Sequence, residues 1–369
     1  MARRRAAAAD PLRRALAGLL IAALVLLLVE GAARLLLPPP GGAKAAVAGL
    51  MAPDPRLGWR LRPGSWASPG RDGPVTVEIG EDGLRACPAA AGPLILTLGD
   101  SSVFGHGLVE ADTLHAQLGA ALAARGQPAR VCTAAVPGYS ALQTLAALEG
   151  GLWDRRPAAL VLAQLWSDNN HDHFEDAALL AALGQPEGQL SLLLSRSRAA
   201  LGLRRLLGRP DHRTVGWQLP GLTEGLRRVP LPAYAAALRA LLDGARARGI
   251  GVVVLTLANR ETVGAPEAPG PWDPYVQVQA ATATAAGLPR IDASAALRAL
   301  NLPLDALFLD QMHPTGRANA AVAAALAPAL AAGAPVPAAF DPVAPPPDPW
   351  ERGPVEPRSL QVRAVEGAP

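Results

Sequence analysis

Residues 93–102, Pro-Leu-Ile-Leu-Thr-Leu-Gly-Asp-Ser-Ser, decide the fold. Leu94 to Leu98 form an apolar run without polar alternation, bounded by Pro93 and by Gly99-Asp100-Ser101. A short run of this kind reads as a strand buried on both faces, the environment of a parallel sheet. Downstream, Thr113 is an N-cap candidate for a helix with Leu114, Leu118 and Leu122 on one face. Residues 130–136 repeat the strand pattern and end in Pro137-Gly138; residues 141–152 read as a helix and 159–165 as a third strand. After a segment with no clear period, the alternation resumes with a helix over 232–248 and a strand over 251–257. A helix over 275–286, a short strand over 289–291 and a last helix over 317–331 complete it. Strands alternating with helices predict an α/β domain with a parallel sheet covered on both sides, whose ligand site lies beyond the carboxyl ends of the strands.

Outside this core the chain changes character. Arg3, Arg4, Arg5, Arg13 and Arg14 precede an uncharged apolar run over 15–29; Glu30 and Arg34 interrupt it before Leu35 to Leu37 extend it. About 23 residues, 15–37, are enough to cross a bilayer once, and the arginine cluster predicts a cytoplasmic N-terminus with everything after Pro38 outside. Two other readings stay open: a cleaved signal peptide, for which the small residues over 45–49 would serve, and a buried helix of a cytoplasmic protein. The expected organisation is a cytoplasmic stub and anchor over 1–38 and a linker with extended pieces over 39–85. The main domain follows over 86–332, with an insertion at about 171–229, and then a proline-rich, disordered or surface-draped tail over 333–369. Within the linker, Val75 to Ile79 alternates as an edge strand or hairpin does.

Composition removes several classes. The chain is 50% hydrophobic and 18% charged, too apolar for disorder. Its net charge is +3 and its aromatic content 4%, with no basic stripe interleaved with aromatics, so no nucleic-acid partner is expected. Cys87 and Cys132 are too few for a disulfide scaffold or a cysteine zinc site; they are either one bridge or two buried thiols.

The predicted strand ends carry the polar chemistry. Gly99-Asp100-Ser101-Ser102 follows the first strand, Pro137-Gly138-Tyr139-Ser140 the second, and Trp166-Ser167-Asp168-Asn169-Asn170 the third; Asp310-Gln311-Met312-His313-Pro314 precedes the last helix. Together they supply acyl transfer. A serine hydroxyl becomes nucleophilic when a histidine removes its proton, and the histidine needs a carboxylate to fix its tautomer. Ser101, His313 and Asp310 fill these roles. An oxyanion hole would use the Ser101 and Gly138 backbone N–H groups and an asparagine amide. Asp168, His171, Asp172, His173, Glu175 and Asp176 cluster in sequence but read as a polar turn at the cleft rim, with His171 or His173 as substrate contacts; no metal and no cofactor are expected. His106, His115 and His212 read as surface or packing residues, and Ser102 as structural.

These blocks resemble the SGNH/GDSL hydrolase family, named for Ser, Gly, Asn and His in four separate blocks. The resemblance spans roughly Gly80 to Ala331. It implies a flavodoxin-like three-layer α/β/α fold, Ser101 as nucleophile, Gly138 in the second block, and Asp310 with His313 as the D-x-x-H block. Gly83-Leu84-Arg85 and the "GDS-x-x-FG" of Gly99 to Gly105 are similar to a membrane-anchored bacterial subgroup. The third block departs: the family reads G-x-N-D, and here strict alignment puts Asp168 where the oxyanion asparagine belongs. A one-residue shift would bring in Asn169, with Asn170 as alternative. The resemblance thus implies an extracytoplasmic serine esterase acting on an acyl ester, with acylated carbohydrate as a candidate. An O-acyltransferase on envelope polysaccharide and an inactive scaffold of the same fold are the alternatives.

Overall fold

The computed structural model describes residues 3–37, 49–85, 87, 91–172, 175–194, 197–207 and 226–351. Residues 38–48, 208–225 and 352–369 lie outside the described residues, as does His173, and with them His212, Trp217, the small residues over 45–48 and the end of the tail.

Five strands form one parallel sheet: β1 (Leu94–Gly99), β2 (Arg130–Thr133), β3 (Ala159–Ala163), β4 (Gly251–Thr256) and β5 (Arg290–Asp292). Their spatial order is 2-1-3-4-5, the flavodoxin-like arrangement. Chain order reverses between β1 and β3, so their carboxyl ends diverge into a crevice, and the Gly-Asp-Ser turn opens into it. Every residue of β1, β3 and β4 is buried, as continuous apolar runs covered on both faces require.

The helix starts follow local chemistry. The single-turn α2 (Ser101–Phe104) is capped by Asp100, whose side chain accepts the Ser102 N–H. The Thr113 side chain caps α3 (Leu114–Ala124), accepting from Ala116. Ser140 and Gln143 form a capping box at α4 (Ala141–Glu149). The turn α5 (Trp166–Asn169) follows β3. The segment without clear period resolves into α6 (Asp176–Leu183), α7 (Pro186–Leu194) and α8 (Arg198–Leu206). Residues 171–172 and 226–227 pair as antiparallel strands, so the insertion leaves and re-enters the domain at one point. Next come α9 (Leu231–Ala247), α10 (Asp273–Ala285), α11 (Ala293–Arg298) and α12 (Gly316–Ala331). Helices α4, α9 and α10 pack together on one face of the sheet; α3, α11 and α12 cover the other.

Upstream, 51–54 pairs with 58–61 and 64–70 with 73–79, both antiparallel. Arg85 bridges Ile79 to Thr133, so the second hairpin extends the sheet past edge strand β2. Beside this contact Cys87 and Cys132 are joined as a disulfide, with Cα atoms 4.7 Å apart. Of the two alternatives left open by the sequence, the structure holds the bridge. The N-terminal helix α1 (Arg3–Leu36) is exposed along its apolar stretch, and the part from Arg13 to Leu36 is long and apolar enough to cross a membrane.

Of the two expectations for the tail, disordered or draped on the surface, its described part takes the second form. Residues 333–351 carry no helix or strand but follow the domain surface. Pro335 accepts from Val252 of β4, the Ala338 N–H donates to Ala286, and the Arg239 guanidinium lies 5.7 Å from the Phe340 ring centre. Asp348 then takes Arg227 bidentately at 2.9 and 3.0 Å. A proline-rich strand without periodicity can still be fixed by a few such contacts.

A second buried ion pair holds the insertion. Arg228 donates to both Asp176 oxygens at 3.0 and 2.7 Å, with side chains 1% and 0% exposed. Removing one partner leaves an uncompensated buried charge. Asp176→Ala is therefore expected to lower unfolding free energy by about 3–5 kcal/mol, measured by urea denaturation; a loss below about 1 kcal/mol, the range of surface pairs, would show the pair to be solvated.

Candidate active site

Gly99 ends β1 where a side chain has no room: a Cβ there would sit 2.5 Å from Val103 Cγ2 and 2.7 Å from the Ala163 carbonyl oxygen. The absence of one lets β1 turn directly into α2 beside β3. Asp100 is buried, and its two oxygens accept the N–H groups of Ser102 at 3.0 Å and Ser167 at 3.2 Å, joining the ends of β1 and β3. Burial is the main reason its carboxyl is raised above the usual range. Ser101, between these fixed neighbours, is partly exposed at the head of α2.

His313 reaches Ser101 from far along the chain. Its Nε2 lies 2.8 Å from Ser101 Oγ, and its Nδ1 lies 2.7 Å from Asp310 Oδ2. The other Asp310 oxygen accepts the N–H groups of Met312 at 3.0 Å and His313 at 2.9 Å, and the Leu309 N–H donates to the His313 carbonyl. The four-residue Asp310–His313 block is thus a closed turn that aims both side chains. Burial by itself would raise the Asp310 carboxyl; the hydrogen bond and charge of His313 and the two backbone N–H groups outweigh it and hold the group well below the usual carboxylate range. With Nδ1–H donated to Asp310, Nε2 is left to accept the Ser101 hydroxyl proton. The structure therefore brings Ser101, His313 and Asp310 together in hydrogen-bond sequence.

Gly138 follows β2 in the left-handed region at φ +81°, a conformation that favours glycine. Neither its N–H nor that of Ser101 has a hydrogen-bond acceptor among the described residues. The third block behaves differently from expectation. The Asn169 amide donates to the carbonyls of Leu165 at 2.8 Å and Trp166 at 3.3 Å, and its own carbonyl takes an Arg227 N–H. This corrects Asn169 as an oxyanion donor: the one-residue shift is not made, and the amide closes its own turn. Asn170 leads out in extended conformation, its carbonyl accepting from Arg228. Asp168 occupies the strict position, fully buried. Its Oδ1 accepts the Ala141 N–H at 2.8 Å, and its Oδ2 is buried without a partner. Burial first, then the charges of Asp176 and Asp100, push this carboxyl well above its ordinary value. Burial thus disfavours the charged form of Asp168, and with it the charge repulsion expected from the sequence.

Several residues do more than their sequence context announces. Ser102, expected as structural, donates to the Met312 carbonyl at 3.3 Å and so ties the nucleophile turn to the histidine loop. Arg85, part of the Gly83-Leu84-Arg85 motif, is fully buried and donates to the carbonyls of Phe104 (2.9 Å), Gly105 (2.7 Å) and Leu108 (2.6 Å), fixing the loop after the Ser101 turn. His115, expected as packing, is buried with Nε2 2.5 Å from Glu110, which also pairs with Arg85. His106 is no bystander: its ring lies 4.9 Å from that of His313, centre to centre. Burial first, then the neighbouring His313, lowers its pKa to about 4, so it stays neutral beside the catalytic candidates. His171, expected as a substrate contact, lies 3.1 Å from the Trp350 carbonyl of the tail. A glutamate five residues before His115 is a legible signal; the approach of His106 to His313 leaves none.

The fold and this site define an α/β protein of flavodoxin-like topology with a serine, a histidine and an aspartate in contact at its switch point. No protein-family model matches the chain, and no curated protein does. Among solved structures, it is similar to LAE5, an alpha/beta hydrolase enzyme from the metagenome of Lake Arreo, Spain, at 18% identity and a TM-score of 0.43, covering 66% of this chain and 96% of that one. Axe2, an acetylxylan esterase from Geobacillus stearothermophilus, matches at 18% identity and a TM-score of 0.43, covering 64% and 93%. A putative lipolytic protein of G-D-S-L family from Desulfitobacterium hafniense matches at 11% identity and a TM-score of 0.41, covering 64% and 99%.

The upward shift of the Asp168 carboxyl has a measurable consequence. A carboxyl whose folded-state pKa is raised favours the native state while it is protonated in both states; that advantage is lost as pH rises above the unfolded value of about 3.9. Asp168→Asn keeps the acceptor for Ala141 and removes the ionisation. It is expected to raise Tm at pH 8 by about 2–4 °C for each kcal/mol relieved, with the gain vanishing near pH 4. Thermal melts giving the same shift at both pH values would contradict this account.

Proposed function

We propose that the chain is a serine esterase of the SGNH/GDSL type, anchored by α1 and acting outside the cytoplasm. The carrying observation is the unbroken run Ser101 Oγ, His313 Nε2, His313 Nδ1, Asp310 Oδ2, at 2.8 and 2.7 Å. In this reading His313 takes the Ser101 proton as the oxygen attacks the ester carbonyl, and Asp310 steadies the imidazolium. The oxyanion is received by the Ser101 and Gly138 N–H groups, which have no other acceptor among the described residues. His313 then returns the proton to the leaving alkoxide, giving the alcohol and an acyl-Ser101. Water, deprotonated by the same imidazole, releases the acid and restores the serine. Neutral His106, packed on His313, adds no competing positive charge.

The location is part of the proposal. It is supported by the arginines ahead of the apolar stretch of α1 and by the Cys87–Cys132 bridge, which fits an oxidising compartment. A carbohydrate carrying short acyl esters is the substrate class expected for an enzyme facing an envelope.

A fluorophosphonate probe tests the reading directly. The wild-type chain is expected to be labelled at one site and Ser101→Ala not at all. His313→Gln should lower kcat on short-chain p-nitrophenyl esters by roughly 10⁴-fold or more while the protein stays folded. No labelling of the wild type, or equal labelling of Ser101→Ala, would defeat the proposal; acyl transfer to an added oligosaccharide in place of acid release would convert it to an O-acyltransferase.

A further inference from the structure

The insertion between β3 and β4 contains a helix for which the esterase site has no use. The sequence over 188–210 carries Arg196, Arg198, Arg204, Arg205 and Arg209 and no acidic residue. Within it, α8 exposes Leu203 (59%), Leu206 (87%) and, just past its end, Leu207 (63%). These positions lie three and four apart and share one face, while the helical period puts Arg198 on the other side. Leu190 and Leu194 of the preceding α7 are also exposed. Apolar leucines opposite an arginine, on a surface element, form a pattern suited to a lipid–water boundary.

The position of α8 says what covers that face. Its start is fastened to the side of α1. The Glu30 carboxylate accepts from Ser197 Oγ at 2.7 Å and from the N–H groups of Arg198 and Ala199 at 3.1 Å, while Arg34 holds the same carboxylate at 2.7 Å. The Arg198 guanidinium donates to the Leu37 carbonyl at 3.0 Å, and a Cβ at Gly202 would lie 2.7 Å from Leu37 Cδ1, so the two helices approach closely. Glu30 lies about 9 Å before the end of α1 at the helical rise per residue. If 15–37 span the bilayer, an element hydrogen-bonded to residue 30 stands at the depth where headgroups give way to acyl chains. The same bonds explain how an acidic residue is tolerated in that stretch: its charge is met by the Arg34 guanidinium, the Ser197 hydroxyl and the first N–H groups of α8.

We infer that α8 is an interfacial membrane helix, docked on the anchor at its exit, with Leu203, Leu206 and Leu207 in the acyl boundary of a phospholipid bilayer. The inference rests on the anchor reading proposed above. It gives the enzyme a second point of attachment, so that the domain is held in an orientation rather than left on a swivel.

Because the native cysteines are paired, one introduced cysteine can carry a nitroxide in the full-length chain. Ile21→Cys, Leu203→Cys, Leu206→Cys and Asn301→Cys would be placed singly in nanodiscs of phosphatidylglycerol and phosphatidylcholine. Relaxation of each label by oxygen, which concentrates in lipid, is then compared with that by a water-soluble nickel chelate. The expected result is that oxygen dominates at 21, 203 and 206 and nickel at 301. Oxygen at 21 with nickel at 203 and 206 would overturn the interfacial helix and leave the anchor standing. Nickel at 21 would overturn the anchor reading and this inference with it. Labels at 203 and 206 shielded from both reagents would assign the leucine face to a protein partner and overturn the inference.

Discussion

Asp100 carries the constraint on which the rest of the site depends. Its carboxyl accepts one N–H from the turn after β1 and another from the turn after β3, the two strands that flank the topological switch point. A parallel sheet spreads its carboxyl ends apart at that point, and something must fix their separation before a substrate can be held between them. A buried acid with both oxygens engaged does this with little freedom. Ser101 inherits its position from the residue before it, and the end of β3 places Ala163 and Ser167 against the same turn.

A second set of bonds works from the other side of Ser101. Arg85 arrives from the hairpin upstream of the sheet and gathers three carbonyls of the loop that follows α2. The Gly105 carbonyl also accepts the Leu108 N–H, while those of Phe104 and Leu108 gain from the guanidinium the donor that a buried carbonyl needs. Its partner Glu110 reaches His115 at the start of α3, so hairpin, loop and helix share one network. The result is that His106 is presented to the face of His313 by a rigid loop.

The parallel core is legible in the sequence because burial on both faces leaves an apolar run that few other environments produce. Strands β1 to β4 can be anticipated from such runs, whereas β5 is short, polar at both ends and partly exposed; most helices can be anticipated within a few residues. The Ser101, His313 and Asp310 blocks are legible as well, since strand ends are where such folds put polar residues. What escapes is decided by partners remote in sequence. The insertion's helices α6 and α7 lack a period strong enough to read, and α6 is fixed by the Asp176–Arg228 pair rather than by a clear stripe. Asn169 looks like a donor by residue type, but its amide has nearer carbonyls within its own turn. Asp168 looks repulsive by formal charge, which complete burial disfavours. The tail lacks periodicity and reads as loose, although Arg227 and the Phe340 contact pin its described part.

The cystine between residues 87 and 132 bears on mechanics as well as on compartment. It joins the chain arriving from the hairpins to the edge strand of the sheet, just before the first buried strand begins. Any tug from a tether upstream of the hairpins meets this covalent cross-link and is borne by the scaffold's rim. Force would have to shear an edge strand out of register before it could stretch the turn holding Ser101, so that turn stands in the unloaded part of the molecule.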